Sequence, residues 1–365
     1  MSPRVVPIEA VEVAVYVVPT DAPESDGTFE WTSTTLVLAT AFAGGTRGLG
    51  YSYAHRAAAD VIVDSLAPVV RGQDALSVDA SWQAMLRSVR NVGLPGIAAT
   101  AISAVDTALW DLKCQLLDLP LVTLLGAVRD SIPVYGSGGF TSYAEARLRE
   151  QLGKWVSQGI SRVKMKVGRD PRADIERVAA ARSAIGPDAE LFVDANGAYT
   201  RKQALDFAEA FRDYGVTWFE EPVSSDDLEG LHLLRDRAPP GMDIAAGEYG
   251  FDVWYFRRML TAGAVDVLQA DATRCCGITG FLHAGALCEA AMLPLSSHTA
   301  PSVHVHLGCA VQRMRHLEWF HDHVRIEQLL FDGALVPEAG KLRPDRSRPG
   351  LGLALKNVDA QRYAA

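Results

Sequence analysis

The sequence predicts an α/β protein in which a small α+β unit precedes a parallel β-barrel surrounded by helices. Three observations support this fold class. Residues 8–117 hold three strand-like segments followed by three helical segments. Beyond Arg129, eight short apolar segments alternate with amphipathic ones, which is the order of a parallel barrel. Charged residues or a histidine stand near the ends of most of these segments, so a barrel would gather them at one rim.

The N-terminal unit, expected over residues 1–130, begins with three strands. Alternating apolar residues predict strands at Ile8–Val18, Thr34–Phe42 and Arg47–Tyr53. The polar segment Thr20–Trp31 between the first two is expected to be a loop. It would be either a mobile loop that closes over a ligand or an exposed surface loop.

Helical periodicity follows at Ala57–Val70, Ser77–Val92 and Ile97–Leu117. No catalytic constellation is recognisable inside this unit. Trp31 and His55, which border its strands, are its candidates for contacts with a substrate.

The barrel is expected over residues 131–330. Its predicted strands are Ile132–Ser137, Arg162–Val167, Glu190–Asp194, Val216–Glu220, Asp243–Glu248, Val265–Asp271, Met292–His298 and Arg315–Trp319. A doubly wound open sheet is the competing fold. No Gly-x-Gly-x-x-Gly turn follows an early strand, which removes the usual nucleotide-binding signature of that alternative.

Seven reactive side chains lie at the ends of successive predicted strands, 20 to 28 residues apart. They are Lys166, Asp194, Glu220, Glu248, Asp271, His298 and Glu318. One such carboxylate is usually a helix cap or a loop charge. A series at this period is hard to explain by capping, and in a barrel all seven would face one pocket.

Three of the seven are carboxylates on consecutive strands, namely Asp194, Glu220 and Glu248. Packed together without a cation they would repel one another. A few hard oxygen ligands, with positions left for water and substrate oxygens, suit Mg²⁺ better than zinc. Asn196, two residues after Asp194 and on the same side, is a candidate substrate ligand.

Two lysines and a histidine supply candidate acids and bases. Lys164 and Lys166 alternate with Met165, so a strand places both ammonium groups on one face. Like charges and a nearby bound cation lower a lysine pKa, so one lysine could act as a base near neutral pH. His298 could be oriented by Asp271 on the preceding strand.

Composition narrows the classes of partner. The chain has 35 Lys and Arg against 44 Asp and Glu, a net charge of −9, which argues against nucleic acid or an anionic membrane as partner. No N-terminal signal pattern and no run of about 18 apolar residues is evident, so we expect a cytoplasmic protein. The five scattered cysteines, including Cys275 and Cys276, fit reduced thiols.

In this order and spacing, the motifs resemble the enolase superfamily, specifically its mandelate racemase subgroup. The residues that carry the resemblance are Lys164-x-Lys166, Asp194-x-Asn196, Trp218-Phe219-Glu220-Glu221-Pro222, Gly247-Glu248, Asp271, His298, Glu318, Ala101–Asp106, Ala108–Lys113 and Pro349–Gly352. One departure follows Asp271. The family usually has a basic residue and then paired glycines, whereas this chain has Arg274-Cys275-Cys276-Gly277.

The resemblance implies a modified (β/α)7β TIM barrel beneath an N-terminal α+β capping domain, with residues 331–365 returning to the cap. It implies Mg²⁺ held by Asp194, Glu220 and Glu248. Glu221 would lie next to these ligands without binding the metal itself. The implied reaction is removal of the proton alpha to a carboxylate.

The resemblance also implies roles for the remaining residues. Lys166 and the His298–Asp271 pair would flank opposite faces of the substrate. Lys164 would lie near the substrate carboxylate and Glu318 would donate a hydrogen bond to the substrate. To donate, Glu318 must hold a proton, so its pKa would have to be raised by burial or by neighbouring acids.

The favoured function is dehydration of a sugar acid to a 2-keto-3-deoxy acid, with a small-molecule carboxylate as substrate. A racemase or epimerase of a 2-hydroxy acid is the first alternative. A non-catalytic binding or regulatory member is the second. A cycloisomerase is disfavoured because such relatives generally lack a pair like His298–Asp271. We also expect a homo-oligomer.

Overall fold

An antiparallel meander opens the described chain. The structure, a computed structural model, describes residues 5–365. The first strands, paired in chain order, are β1 (Ala10–Ser25), β2 (Glu30–Ala43) and β3 (Thr46–Tyr53). Alternation of apolar side chains directs Val37, Ala39 and Ala41 of β2 toward the helices of this domain, where they are fully buried.

The predicted loop at Thr20–Trp31 is wrong. Both strands of the first hairpin extend into this segment, and only the turn at residues 26–29 lies outside them. The register of the pairing shifts between Pro19 and Glu24. Since this irregularity breaks the alternation of apolar and polar side chains, the sequence pattern there indicates a loop although the backbone is paired.

Helices cover one face of the meander. They are α1 (Ala57–Val61), α2 (Ala67–Val70), α3 (Val78–Ser88), α4 (Ile97–Leu117) and α5 (Leu121–Leu124), with a π-helical segment at residues 62–66 joining the first two. The bounds of α4 agree with the prediction. This helix approaches β3 closely because glycine stands at Gly50, where a Cβ atom would lie 2.3 Å from the backbone nitrogen of Ala108.

The second domain is the predicted barrel. Its strands are β4 (Ile132–Gly138), β5 (Arg162–Lys166), β6 (Glu190–Asp194), β7 (Val216–Glu220), β8 (Asp243–Ala246), β9 (Val267–Ala270), β10 (Leu295–Ser297) and β11 (Leu317–Phe320). They pair in parallel in the order β10-β9-β8-β7-β6-β5-β4-β11. The residues before β11 close the ring, because the backbone nitrogen of Leu295 donates to Arg313 O at 3.0 Å and that of Arg315 donates to Leu295 O at 2.8 Å.

Helices alternate with these strands on the outside of the ring. They are α6 (Glu145–Ser157), α7 (Asp174–Ile185), α8 (Arg201–Arg212), α9 (Leu228–Arg237), α10 (Val253–Thr261), α11 (Gly277–Ala290), α12 (Pro301–Ala310) and α13 (His321–Leu330). Inside the ring, Tyr135, Phe192, Trp218, Ala245 and Val267 form a buried apolar floor. The fold class predicted from the sequence is confirmed, and the reactive side chains stand above this floor.

The last segment of the chain contacts both domains. Its elements are β12 (Phe331–Asp332), β13 (Lys341–Leu342), β14 (Ala354–Leu355) and α14 (Asn357–Ala360). Strand β13 pairs with β4 of the barrel. The backbone nitrogen of Leu351 donates to Asp111 Oδ1 of α4 at 2.7 Å, and that of Ala365 donates to Val15 O of β1 at 3.0 Å.

Two general features of the described residues bear on the expectations from composition. None of their helices combines the length and apolarity needed to cross a lipid bilayer. All five cysteines are buried free thiols.

Candidate active site

Two lysines of strand β5 point into the interior of the barrel. Met165 points the other way, into the layer between strands and helices, so the predicted alternation is confirmed. Lys166 Nζ lies 2.5 Å from Asp194 Oδ2 and 3.0 Å from Asn196 Oδ1. Lys164 Nζ lies 3.2 Å from the same Asp194 oxygen and 2.9 Å from Glu318 Oε1, and it also pairs with Glu220.

The three predicted metal ligands come together. Asp194 and Glu220 end β6 and β7, and Glu248 follows β8 by two residues. Each offers an oxygen within 4.8 Å of the others. Only glycine fits at position 247, directly before Glu248. Its φ is +137° and a Cβ atom there would lie 2.1 Å from Gln269 O.

The donor chemistry of this triad fits Mg²⁺. All three carboxylates are buried, and three oxygen donors of one negative charge each suit a hard divalent cation. Glu248 Oε2 is buried without a hydrogen-bond partner. A buried carboxylate oxygen without a partner is costly unless a cation satisfies it.

The predicted His–Asp pair is present on the other side of the triad. His298 Nδ1 lies 2.8 Å from Asp271 Oδ2, while His298 Nε2 lies 3.5 Å from Glu248 Oε2 and 3.9 Å from Glu318 Oε2. Burial alone would raise the pKa of Asp271, but the hydrogen bond and charge of His298 hold this pKa below its usual range. Asp271 therefore stays ionised and orients Nε2 of His298 toward the triad.

The strand order separates the two candidate proton-transfer groups. Strands β6, β7 and β8, which carry the triad, lie side by side. Lys166 is on β5 at one flank, and Asp271 and His298 follow β9 and β10 at the other. A substrate held at the triad would thus meet an amine from one side and an imidazole from the other.

The charges of the protein alone raise the pKa of Lys166. Burial lowers the pKa of this ammonium group, and Lys164 lowers it further, yet the charges of Asp194, Glu248 and Glu220 outweigh both and raise it. The pKa of Lys164 is likewise raised, because burial is outweighed by Glu220 and Glu318. The expected lowering counted a bound cation as well as the second lysine, so it stays a prediction for the metal-loaded site.

The pKa of Glu318 is set by the cations around it. Burial would raise it, but the charge of Lys164, followed by those of His298 and Lys166, lowers it to about 2. Glu318 accepts hydrogen bonds from Lys164 and, at 2.8 Å, from the backbone nitrogen of Thr299. In this arrangement Glu318 accepts hydrogen bonds, and its donation to a bound substrate stays a prediction.

A cavity of about 540 Å³ opens above these groups, between the two domains. Its wall includes Lys166 and His298 together with three predicted substrate ligands, Asn196, Trp31 and His55. Lys164 and Glu318 are buried and do not line this cavity, so their contact with a substrate stays a prediction. The side-chain partners of Lys164 are carboxylates of the site, and Glu318 pairs with Lys164.

Two residues at the site were not predicted. The guanidinium group of Arg274 lines the cavity and reaches Glu248 Oε1 at 3.5 Å and Asp271 Oδ2 at 3.7 Å. Thr299 lines it too and holds Glu318 through its backbone nitrogen. The signal for Arg274 was its place three residues after Asp271; nothing in the sequence pattern singles out Thr299.

The departure from paired glycines after Asp271 has a structural consequence. Cys276 stands where the first glycine is usual and takes a left-handed conformation with φ of +66°, which costs a residue with a side chain about 1 kcal/mol. The backbone is held there by Trp82 Nε1, which donates to Cys276 O at 2.8 Å. The loop thus keeps the glycine-like backbone although the glycine is absent.

A capped barrel with an acidic triad, a lysine and a His–Asp dyad defines the class of protein, and comparison with known families agrees. Residues 147–360 match the enolase C-terminal domain-like family. Residues 10–126 match the mandelate racemase/muconate lactonizing enzyme N-terminal domain. The chain belongs to the enolase superfamily, in the mandelate racemase subgroup.

Individual relatives cover most of the chain. The 3,6-anhydro-alpha-L-galactonate cycloisomerase of Streptomyces coelicolor is 33% identical over 85% of this chain and 86% of its own length. The L-talarate/galactarate dehydratase of Salmonella typhimurium is 33% identical over 80% of this chain and 75% of its own.

Solved structures agree in fold. A mandelate racemase/muconate lactonizing enzyme-like protein from Rubrobacter xylanophilus is 56% identical over the whole of both chains, with a TM-score of 0.96. A racemase from Streptomyces coelicolor with bound magnesium is 31% identical over 98% of this chain and all of its own, with a TM-score of 0.92.

Proposed function

We propose that this protein removes the proton alpha to the carboxylate of a sugar acid and expels the beta hydroxyl, giving a 2-keto-3-deoxy acid. The observation that carries the proposal is the placement of Lys166 and the His298–Asp271 dyad on opposite flanks of the acidic triad. Such a site has one group to take a proton and a second to give one.

Asp194, Glu220 and Glu248 would hold the metal. Mg²⁺ bound by them would supply positive charge that offsets both the three carboxylates and the negative charge developing on the substrate carboxylate. Below them, Lys164 adds a fixed positive charge within 3.2 Å of Asp194 and 2.9 Å of Glu318.

The proton steps divide between the flanks. Lys166, after release of its proton, takes the alpha proton of the substrate. His298 gives a proton to the beta hydroxyl group, which leaves as water, and the resulting enol becomes the keto acid. Asp271 fixes the orientation of His298 through the 2.8 Å bond to Nδ1. One proton and one hydroxide leave the substrate, so the reaction is a net loss of water.

The alternatives share the first proton transfer. Reprotonation from the opposite flank, without loss of the hydroxyl group, would make the protein a racemase or epimerase of a 2-hydroxy acid. Identity to relatives does not separate dehydration from cycloisomerisation, since one relative of each kind is 33% identical. Dehydration needs a proton donor for the leaving hydroxyl group, and His298 would supply that proton.

The product decides between these functions. The protein would be incubated with Mg²⁺ and a panel of aldonic and aldaric acids, and the 2-keto-3-deoxy acid measured. We expect keto acid to form with at least one member of the panel. An inverted C2 centre without keto acid would establish the epimerase, and no change in any acid would support a non-catalytic member.

A further inference from the structure

A second group of ligand-type side chains lies outside the active site, where the hairpin of β1 and β2 meets the barrel. Its members are Asp21 and Glu24 of β1 and His321, the first residue of α13. Each offers an oxygen or ring-nitrogen atom within 4.8 Å of the others, which is the spacing that the active-site triad also meets. The triad has oxygen donors alone, whereas this group adds an imidazole.

An irregularity of β1 brings the two carboxylates together. Asp21 and Glu24 are three residues apart, and in a regular strand this separation would direct their side chains to opposite faces. The register of the pairing between β1 and β2 shifts between Pro19 and Glu24, so the alternation is broken where the group forms. His321 approaches from the barrel, and its Nε2 lies 3.1 Å from Asp21 Oδ2.

Glu24 supplies a buried oxygen without a partner. The residue is fully buried, Trp31 Nε1 donates to its Oε2 at 2.9 Å, and its Oε1 has no hydrogen-bond partner. Such an oxygen is costly unless a proton or a cation satisfies it. In the metal-free protein a proton does so, because burial, followed by the charge of Asp322, raises the pKa of Glu24 to about 9. A bound cation would replace this proton.

The guanidinium groups nearby are balanced by other acceptors. Arg147 contacts Asp21 through Oδ1, at 3.1 Å, which leaves Oδ2 outside this pair. Arg325 donates to a backbone oxygen of β1 and, at 2.8 Å, to Asp322 Oδ1. With Glu24 ionised, three carboxylates would face two guanidinium groups. The remaining negative charge favours a cation.

The donor set and its surroundings fit a borderline divalent cation. Two carboxylates and an imidazole are typical ligands of Zn²⁺. Ligand atoms bound to one such ion lie about 3–4 Å apart, so the group would have to contract slightly. Asp21 and His321 have room to do so, since their side chains are 39% and 24% exposed. His321 also lines a surface groove of about 760 Å³, from which an ion and its water ligands can enter.

The group is connected to the wall of the substrate cavity through Trp31. The indole that donates to Glu24 lines this cavity. It also packs edge-on against Phe140 of the barrel, with 5.5 Å between ring centres. An ion held by Glu24 from the cap and by His321 from the barrel would therefore tie the two domains together beside Trp31.

We propose that Asp21, Glu24 and His321 form a second divalent-cation site, of the Zn²⁺ class, which holds the hairpin of the cap on the barrel. The proposal is independent of the reaction proposed above, because none of the three residues belongs to the triad or to the His298–Asp271 dyad.

The site is tested with Zn²⁺ alone, by equilibrium dialysis of the full chain. We expect two Zn²⁺ per wild-type chain, one at the triad and one at the hairpin, and a single Zn²⁺ in Glu24→Gln and in His321→Gln. Glu248→Gln, which removes a triad ligand, should keep the hairpin ion. Two Zn²⁺ retained in both hairpin variants would overturn the proposal, and so would a single wild-type Zn²⁺ that is lost in Glu248→Gln.

A matched control excludes a surface histidine as the ligand. His232 Nε2 lies 3.5 Å from Asp236 Oδ2 on the exposed side of α9, and this pair also combines an imidazole with a carboxylate. His232→Gln should bind as many Zn²⁺ as the wild type. Loss of one Zn²⁺ in His232→Gln, with none lost in Glu24→Gln, would mean an adventitious surface ion only and would overturn the site.

Amide hydrogen exchange tests the tie between the domains. In Glu248→Gln, where the triad is disabled, Zn²⁺ should slow exchange at residues 26–31 of the hairpin at least 5-fold. The same slowing should be absent when Glu24→Gln is added, although glutamine keeps the shape of the side chain and the acceptor for Trp31. Binding of Zn²⁺ at the hairpin without slower exchange would contradict the tie.

Discussion

The hairpin of the cap contains a buried acid whose titration can be measured as stability. Glu24 is fully buried, Trp31 Nε1 donates to its Oε2 at 2.9 Å, and its Oε1 has no partner. Burial, followed by the nearby charge of Asp322, raises the pKa of Glu24 from its ordinary value of 4.5 to about 9. Glu24 therefore holds its proton in the folded protein near neutral pH.

The sign of the effect follows from the two pKa values. Between 4.5 and about 9, the folded state keeps a proton that the unfolded state releases. The stabilisation linked to this proton is complete below pH 4.5 and is lost as the pH rises toward 9. The loss is about 1.4 kcal/mol per pH unit inside this window, or roughly 2–3 kcal/mol between pH 6 and pH 8.

Replacement of Glu24 by glutamine removes the titration but keeps the shape and the acceptor for Trp31. The measurement is the free energy of urea unfolding at pH 6, 7 and 8. The stability of Glu24→Gln relative to the wild type should rise by about 2–3 kcal/mol across this range. Glu12→Gln, an exposed position on the same strand, is the matched control. A difference between Glu24→Gln and wild type that stays constant within about 0.5 kcal/mol would refute the reasoning.

Two further predictions concern the packing of α4. Asp106 accepts hydrogen bonds from the backbone nitrogen and Oγ1 of Thr279 at 2.9 and 2.8 Å. Asp106→Ala leaves these two buried donors unpaired and should lower the free energy of urea unfolding by about 2–4 kcal/mol. An unchanged unfolding midpoint would show that this contact does not hold the cap on the barrel. Gly50→Ala would bring Cβ within 2.3 Å of Ala108 N and should lower the free energy of unfolding by about 1–3 kcal/mol. A stability equal to that of the wild type would mean that α4 can move away from β3 without loss.

The strands of the barrel were predictable because their signal is local. Buried parallel strands are short apolar runs bounded by turns, and the predicted bounds of Glu190–Asp194 and Val216–Glu220 agree with the structure. The barrel then fixes which residues meet, so the triad followed from strand order alone. The same local signal failed at the hairpin, where a register shift near Pro19 breaks the alternation.

The protonation of the site was not predictable in the same way. The pKa of Lys166 depends on Asp194, which is 28 residues away in the sequence. That of Glu318 depends on Lys164, whose strand lies on the other side of β4. A pattern can place such groups at one rim, but the balance between burial and opposite charge is set by distances of a few ångströms. The sequence pattern alone therefore does not give the direction of either shift.

Arg274 and Thr299 show a second limit. A guanidinium group beside Asp271 could equally have pointed to solvent, and the contact of Thr299 with Glu318 uses a backbone nitrogen, which every residue except proline possesses. Side-chain type therefore carries no signal for such a contact.

Lys166 and His298 are proposed to transfer protons on opposite flanks of the triad. The decisive measurement follows keto acid formation and alpha-deuterium incorporation into the remaining acid, in D₂O with Mg²⁺ and an active sugar acid, for the wild type, Lys166→Met and His298→Asn. We expect keto acid in the wild type, neither keto acid nor incorporation in Lys166→Met, and incorporation without keto acid in His298→Asn. Keto acid formation at the wild-type rate in both variants would refute these roles.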